Sequence, residues 1–283
     1  MLVGFKELLT DAREKGYGVP AYNNLNYEHI RILIEAATEA RQPVLLMQYP
    51  GMTNYMSMDD FIAVGRHMAA KSPVPVCLHL DHSSDEDELC WALRCGFQSV
   101  MYDCSKLSDE ENSKKLNGLC KIAHAMGADV EAEVGHVGSG ANAADFQDTS
   151  LYTRPEQVTW YLENTPVDAL AVAIGNSHGV YVATPHLDID RLNKLNAVST
   201  VPLVLHGTSG IPDAQVSAAI LGGVTKVNIF TEFVQAYTDS IHAQCAADPK
   251  VGYMKMLLET RKDIMEYLLA KFRLLNPKGL KIV

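Results

Sequence analysis

The fold predicted by this sequence is an α/β one, a (β/α)8 barrel (TIM barrel) with additional C-terminal helices, and three observations point to it. Short apolar runs alternate with longer segments of helical period, giving eight β-then-α units in order. Several of the runs are continuously apolar, as strands buried on both faces of a parallel sheet must be. The length, 283 residues, suits one such barrel. The rival arrangement, an open doubly wound sheet, would favour a Gly-x-Gly-x-x-Gly after an early strand, and none is present. Residues 1–283 are therefore expected to form a single catalytic barrel domain.

The chain begins with an amphipathic helical segment, Met1–Arg13, which lacks the basic end, apolar stretch and cleavage site of a signal peptide. A strand at Gly18–Tyr22 precedes a helix at Glu28–Ala40, whose apolar side is Ile30, Ile32, Leu33, Ile34, Ala37 and Ala40. The next units pair Val44–Gln48 with Asp59–Ala70, Val76–Leu80 with Asp85–Arg94, and Ser99–Tyr102 with Glu110–Met126. Asp129–Val134 is followed by a long loop, Gly135–Tyr152, rich in Gly, Ala, Asn and Asp, and then by a helix at Pro155–Glu163. Long βα loops commonly serve barrels as active-site lids. Strands at Ala169–Ile174, Leu203–Leu205 and Thr225–Ile229 complete the set, with a helix at Asp213–Leu221 before the last of them. Two helices, Thr231–Ala246 and Val251–Leu275, end the chain.

Composition narrows the function. A net charge of -10 argues against general affinity for nucleic acid or anionic membrane, so an anionic ligand would need a local site. No run of about 18 apolar residues occurs, which leaves no candidate membrane span. Six cysteines without a Cys-x-x-Cys pair suit reduced thiols in a cytoplasmic protein.

Functional groups of a barrel lie just beyond the C-terminal ends of its strands. His82 ends Leu78-His79-Leu80-Asp81-His82 after the third strand, His178 lies in Gly175-Asn176-Ser177-His178-Gly179 after the sixth, and His206 opens His206-Gly207-Thr208-Ser209-Gly210 after the seventh. Three converging neutral imidazoles suit zinc with one position left open. Each histidine alone would equally suit a hydrogen bond at a strand–loop junction. Asp81 is placed either to exchange a proton with a substrate oxygen or to orient a histidine. Glu131 and Glu133 share one face of the fifth strand, where a buried carboxylate needs either a cation or an ion pair. The turn at 206–210 and the segment Asn228-Ile229-Phe230-Thr231 offer N–H groups and hydroxyls after the last two strands, the usual phosphate position in barrels. Thr231 is a candidate N-cap there.

These motifs, together with Glu131-Ala132-Glu133-Val134-Gly135, Ala21-Tyr22-Asn23 and Lys226-Val227-Asn228-Ile229, resemble the class II fructose-bisphosphate/tagatose-bisphosphate aldolase family over essentially the whole chain. The resemblance implies a catalytic Zn2+ on His82, His178 and His206, with Glu133 as a possible alternative ligand, and Asp81 as proton donor to the aldehyde oxygen. It implies that Asn23, Gly179, Gly207, Thr208, Ser209, Asn228, Ile229, Phe230 and Thr231 hold dihydroxyacetone phosphate. It also implies a monovalent cation such as Na+, a homodimer or homotetramer, and the splitting of a sugar phosphate through an enediolate. A divalent ion beside the enediolate oxygens offsets the developing charge, so no Schiff-base lysine is needed and Lys226 reads as structural.

The sequence also departs from the family. Phe230 stands where relatives acting on fructose bisphosphate commonly have Asp, and Gln48-Tyr49-Pro50-Gly51 replaces a second-strand loop that often carries serine. The start of the lid, Gly138-Ser139-Gly140-Ala141-Asn142, lacks the acidic residues of familiar bisphosphate aldolases, leaving Asp145 and Asp148 as substitutes. Arg261 is either a contact for a distal anion, supplied to a neighbouring subunit, or a plain surface arginine. An unusual sugar-phosphate substrate is expected. A zinc hydrolase of the amidohydrolase type would need a His-x-His after the first strand, where the chain reads Tyr22-Asn23-Asn24. A degenerate binding protein would have no reason to keep Asp81 together with all three histidines.

Overall fold

The computed structural model describes residues 1–283. Strands β1 (Val19–Asn23), β2 (Val44–Gln48), β3 (Val76–Ser83), β4 (Ser99–Tyr102), β5 (Asp129–Val134), β6 (Ala169–Val172), β7 (Leu203–Leu205) and β8 (Val224–Ile229) form a closed parallel barrel in sequence order. Closure is made by β8 on β1, from Val19↔Lys226 to Tyr22↔Ile229. Outside it lie α1 (Phe5–Lys15), α2 (Tyr27–Ala40), α3 (Met58–Lys71), α4 (Glu86–Cys95), α5 (Asp109–Ala125), α6 (Ala144–Gln147), α7 (Pro155–Asn164), α8 (Ile189–Val198), α9 (Asp213–Leu221), α10 (Thr231–Ala247) and α11 (Tyr253–Leu274). The (β/α)8 barrel with extra C-terminal helices is thus the observed fold. No helix is long and apolar enough to cross a membrane.

Several helix starts are written locally. The side chains of Asn26, Ser57, Asp85 and Asp188 accept hydrogen bonds from first-turn N–H groups, and Ser108 with Glu111 closes a capping box. Two helices escape the sequence reading. In α8 only Leu192 and Leu195 are fully buried, which leaves too sparse an apolar stripe to stand out. Helix α6 is a single turn within the lid.

Alternation along the strands sorts the interior into layers. At the N-terminal end, Val19, Ala21, Leu45, Met47, Cys77, Ala169, Ala171 and Val204 pack against Phe5, Leu8, Leu9 and Ala12, so that α1 plugs the barrel. A larger apolar cluster fills the space between strands and outer helices. One layer above the plug the inward residues turn polar: His79, Glu131 and Lys226 are fully buried, and Phe5 stacks on His79 at 5.2 Å. Above them, at the C-terminal rim, are Asn23, Asp81, Glu133, His206 and Asn228.

Candidate active site

Three strand ends bring three imidazoles together. His82 lies near the end of β3, which runs three residues beyond the predicted Leu80 with a register shift before Ser83. Its φ of 51° is left-handed, a conformation that costs a non-glycine residue about 1–3 kcal/mol and tends to mark functional sites. The His82 ring centroid lies 4.6 Å from that of His206 and 4.8 Å from that of His178. One nitrogen of each ring lies within 4.8 Å of the other two.

The donor set fits a divalent ion. The Nε2 atoms of His82 and His178 are buried without a hydrogen-bond partner, a costly arrangement unless something binds there. Carboxylates pair with the remaining ring nitrogens: Asp103 Oδ2 lies 3.0 Å from His82 Nδ1, Glu133 Oε2 2.7 Å from His206 Nδ1 and Glu131 Oε1 2.8 Å from His206 Nε2, so His206 must give up one of its two carboxylate partners to hold an ion. Of the four carboxylates Asp81, Asp103, Glu131 and Glu133, Glu131 pairs with Lys226, whereas Asp103 and Glu133 pair with histidines, so histidine protons or a cation balance the charge there. Burial, with His82 and His206 alongside, pushes His178 down to about 4, which keeps it neutral. Burial would likewise lower His206, but Glu131 and Glu133 outweigh it and lift the ring to about 9.

Asp81 is held from two sides. Asn23 Nδ2 donates to one oxygen at 2.8 Å and Asn228 Nδ2 to the other at 3.1 Å. Burial would raise this carboxyl, but His82 and Lys226 outweigh it and hold it down at about 2, so it is ionised. Asn23 and Asn228, expected at the substrate, therefore also fix the carboxylate.

Beside Asp81 and the histidines, Gly179, Gly207, Ser209, Asn228, Ile229, Phe230 and Thr231 border one side of a cleft of about 830 Å³. Gly207 has φ of 62°, and a Cβ there would lie 2.0 Å from the Ser177 carbonyl oxygen, so only glycine fits. Helix α10 starts at Thr231 with Phe230 in the N-cap position, not Thr231, and no side chain of its own caps it. Instead Ser209 Oγ accepts the Glu232 N–H at 3.2 Å from the neighbouring loop. Thr208 is corrected too: its hydroxyl donates to the Asn228 carbonyl at 2.7 Å and does not border the cleft. A hydroxyl so used braces the end of β8.

The sequence profile of the family described as "Fructose-bisphosphate aldolase class-II" matches residues 3–280. The chain belongs to that family. It is 35% identical over 273 residues to the D-tagatose-1,6-bisphosphate aldolase subunit GatY of Klebsiella oxytoca, covering 93% of this chain and 95% of the relative. The crystal structure of the YdjI aldolase of Escherichia coli K12 superposes with a TM-score of 0.86 at 34% identity, over 97% of both chains. A putative fructose-1,6-bisphosphate aldolase of Coccidioides immitis gives 0.84 at 27% identity, over 95% of both. The protein is an aldolase, a carbon–carbon lyase.

The lid of this aldolase is laid down beside a candidate ligand. The His178 N–H donates to the Gly138 carbonyl at 2.9 Å, and the Gly140 N–H donates to the His178 carbonyl at 2.7 Å. Asp145 accepts from the Ser139 N–H at 2.8 Å and from Asn142 Nδ2 at 2.7 Å. It pins the lid and does not border the cleft, so it does not serve as a direct distal contact. Asp148 caps the short turn at 149–151 by accepting from the Ser150 N–H. Arg261, on α11, pairs with Glu35 of α2 and does not border the cleft of its own chain. Conversely, Asp103, Ser105, Lys106 and His136 border the cleft without having been singled out. Asp103 directly follows β4, so the strand-end rule that found His82 could have found it.

Proposed function

We propose that this aldolase reversibly cleaves a ketose 1-phosphate to dihydroxyacetone phosphate and an aldehyde, with one Zn2+ held by His82, His178 and His206. One observation carries the reading: three imidazoles from three strands converge beside an ionised Asp81, two of their nitrogens buried and unpartnered. Such a set suits zinc with an open position, with Glu133 next to it as the alternative ligand. When bound, the ion would supply positive charge where the enediolate's negative charge develops.

The chain's own residues do the rest. Asn23 and Asn228 keep Asp81 in the form that accepts the proton from the hydroxyl on the carbon that becomes the aldehyde. In the reverse direction Asp81 returns that proton to the aldehyde oxygen. The N–H groups around Gly179, Gly207 and Ser209 and the first turn of α10 receive the C1 phosphate. The lid excludes water. Tyr49, Met52 and Phe230 border the cleft and make its rim more apolar than a second phosphate would favour, so fructose 1,6-bisphosphate is expected to be a poor substrate.

The same reading includes a monovalent cation such as Na+ and places residues 1–283 in one catalytic domain. It also makes the protein a cytoplasmic homodimer or homotetramer, in keeping with a relative named as a subunit and with six free cysteines. The test is a screen for dihydroxyacetone phosphate release from ketose 1-phosphates and 1,6-bisphosphates of differing length and configuration, before and after chelation. About one zinc per chain is expected, with turnover lost on its removal and in His82→Ala, His178→Ala and His206→Ala. Full activity without metal would sink the mechanism. A kcat/KM for fructose 1,6-bisphosphate of about 10⁴ M⁻¹s⁻¹ or more would refute the substrate preference.

A further inference from the structure

We propose that His136, oriented by Asp145, is the catalytic base that removes and returns the α proton of dihydroxyacetone phosphate. The inference rests on the aldol reading above, which requires a C–H bond to be broken on the donor and leaves that step without a residue. Asp81 serves the oxygen of the other half.

The carboxylates bordering the cleft already have partners. Both oxygens of Asp81 receive amide N–H groups from Asn23 and Asn228. Asp103 takes His82 on one oxygen and Ser105 on the other, and Glu133 takes His206. Lys106 is a cation, and the phenol of Tyr49 is too weak an acid–base partner near neutrality. The lid from Val137 to Asn142 carries no acid. His136, the first residue past Gly135, borders the same cleft, and an imidazole is the side chain most often used to carry a proton in catalysis.

Its surroundings resemble a supported base. Nε2 lies 3.9 Å from Asp145 Oδ2, and Asp145 is itself fixed by Ser139 and Asn142. The backbone is fixed as well, since the His136 N–H donates to the Leu151 carbonyl at 3.1 Å. A separation of 3.9 Å is too long for a hydrogen bond, but catalytic contacts often tighten only in the complex. The carboxylate favours the tautomer with its proton on Nε2, which leaves the Nδ1 lone pair to act. The side chain is 45% exposed, so a captured proton can trade with solvent. In the step itself the donor C–H bond breaks, the proton forms an N–H bond on the ring, and the electron pair moves onto the carbonyl oxygen to give the enediolate. In the cleavage direction the imidazolium returns the proton to carbon.

The zinc-loaded enzyme with dihydroxyacetone phosphate in deuterated water and no aldehyde isolates this step, because NMR follows loss of the donor proton. His136→Ala is expected to slow exchange by about 10²–10⁴-fold, the usual worth of a general base, with dihydroxyacetone phosphate affinity unchanged by titration. Added imidazole should restore exchange, which a merely structural role would not predict. Asp145→Asn should slow it by a smaller factor in the same direction, again without a change in affinity. Undiminished exchange in His136→Ala overturns the proposal, as does a loss that imidazole fails to rescue and that comes with weakened binding. If the unaltered enzyme exchanges no proton, the aldol reading fails, and this inference with it. If the unaltered enzyme exchanges and His136→Ala matches it, only this inference fails.

Discussion

Asp81 shows how neighbours decide what one carboxyl can do. Two amide donors, with His82 and Lys226 nearby, keep it charged in a buried place where it would otherwise take up a proton. Asp81→Asn preserves shape but keeps one acceptor oxygen, so Asn23 or Asn228 must turn its amide to stay paired, and it removes the ability to carry a proton. Turnover in that variant is expected to fall by about 10²–10⁴-fold with metal content unchanged. Exchange of the donor's α proton should suffer far less, since that step uses a different base. Steady-state kinetics alongside deuterium wash-in separates the two, and an equal loss in both would reassign Asp81 to placing His82. Asp103, which holds His82 through Nδ1, is the residue with which that outcome would group it.

At the scale of the elements, α2 and α10 meet around His29. Its ring is buried against Phe233 at 4.9 Å and Tyr237 at 4.8 Å, and its Nδ1 accepts the Leu25 N–H at 3.4 Å. Burial lowers this histidine to about 4. The folded pKa lies below the unfolded one, so the unfolded chain takes up the proton first. Stability is therefore full above about pH 6.5 and declines as pH falls toward 4, by up to about 3 kcal/mol. Urea midpoints compared between pH 7 and pH 5 should show the decline, and His29→Gln should flatten it. An unchanged slope in that variant would clear His29. The loops are tightly set as well. Gly207→Ala would press a methyl group against the Ser177 carbonyl in a left-handed turn and displace His178 next to it. A loss of about 1–3 kcal/mol in thermal unfolding, together with weaker dihydroxyacetone phosphate binding, is expected. Wild-type values for both would show that the turn can yield.

Across the whole molecule, a buried charge network separates the apolar plug from the site. Lys226 Nζ lies 2.9 Å from Glu131 Oε2, and Glu131 Oε1 in turn meets His206 Nε2 at 2.8 Å, with all three side chains fully buried. His79 completes the layer, its Nδ1 on Ser99 and its face on Phe5. Apolar residues of like volume would stabilise such a layer as well or better, so the charges point to a task, here the placing of His206. Lys226→Met removes the one lysine on buried Glu131 and leaves it with His206 and His79 alone. It should cost about 3–5 kcal/mol in denaturant unfolding, and adding Glu131→Gln should recover part of the loss. A Lys226→Met barrel as stable as the parent would mean that His206 or His79 supplies the missing charge.

Periodicity and strand ends were enough to read the barrel and its rim from the chain. Eight alternating units needed only the periods of strand and helix, and His82, His178 and His206 needed only the rule that function follows strand ends. The boundaries of β2, β4, β5 and β7 coincide with the predicted ones. Tertiary structure alone decided which partner each polar side chain takes. Thr208 faces Asn228, Arg261 faces Glu35, Lys226 faces Glu131, and His136 approaches Asp145. Three of these pairs join different strands, helices or loops, and the fourth lies in an irregular lid, so none leaves a periodic trace in the chain. Alternation tells a side chain which face of the sheet it occupies, whereas its partner depends on the stagger of the strands and the path of each loop.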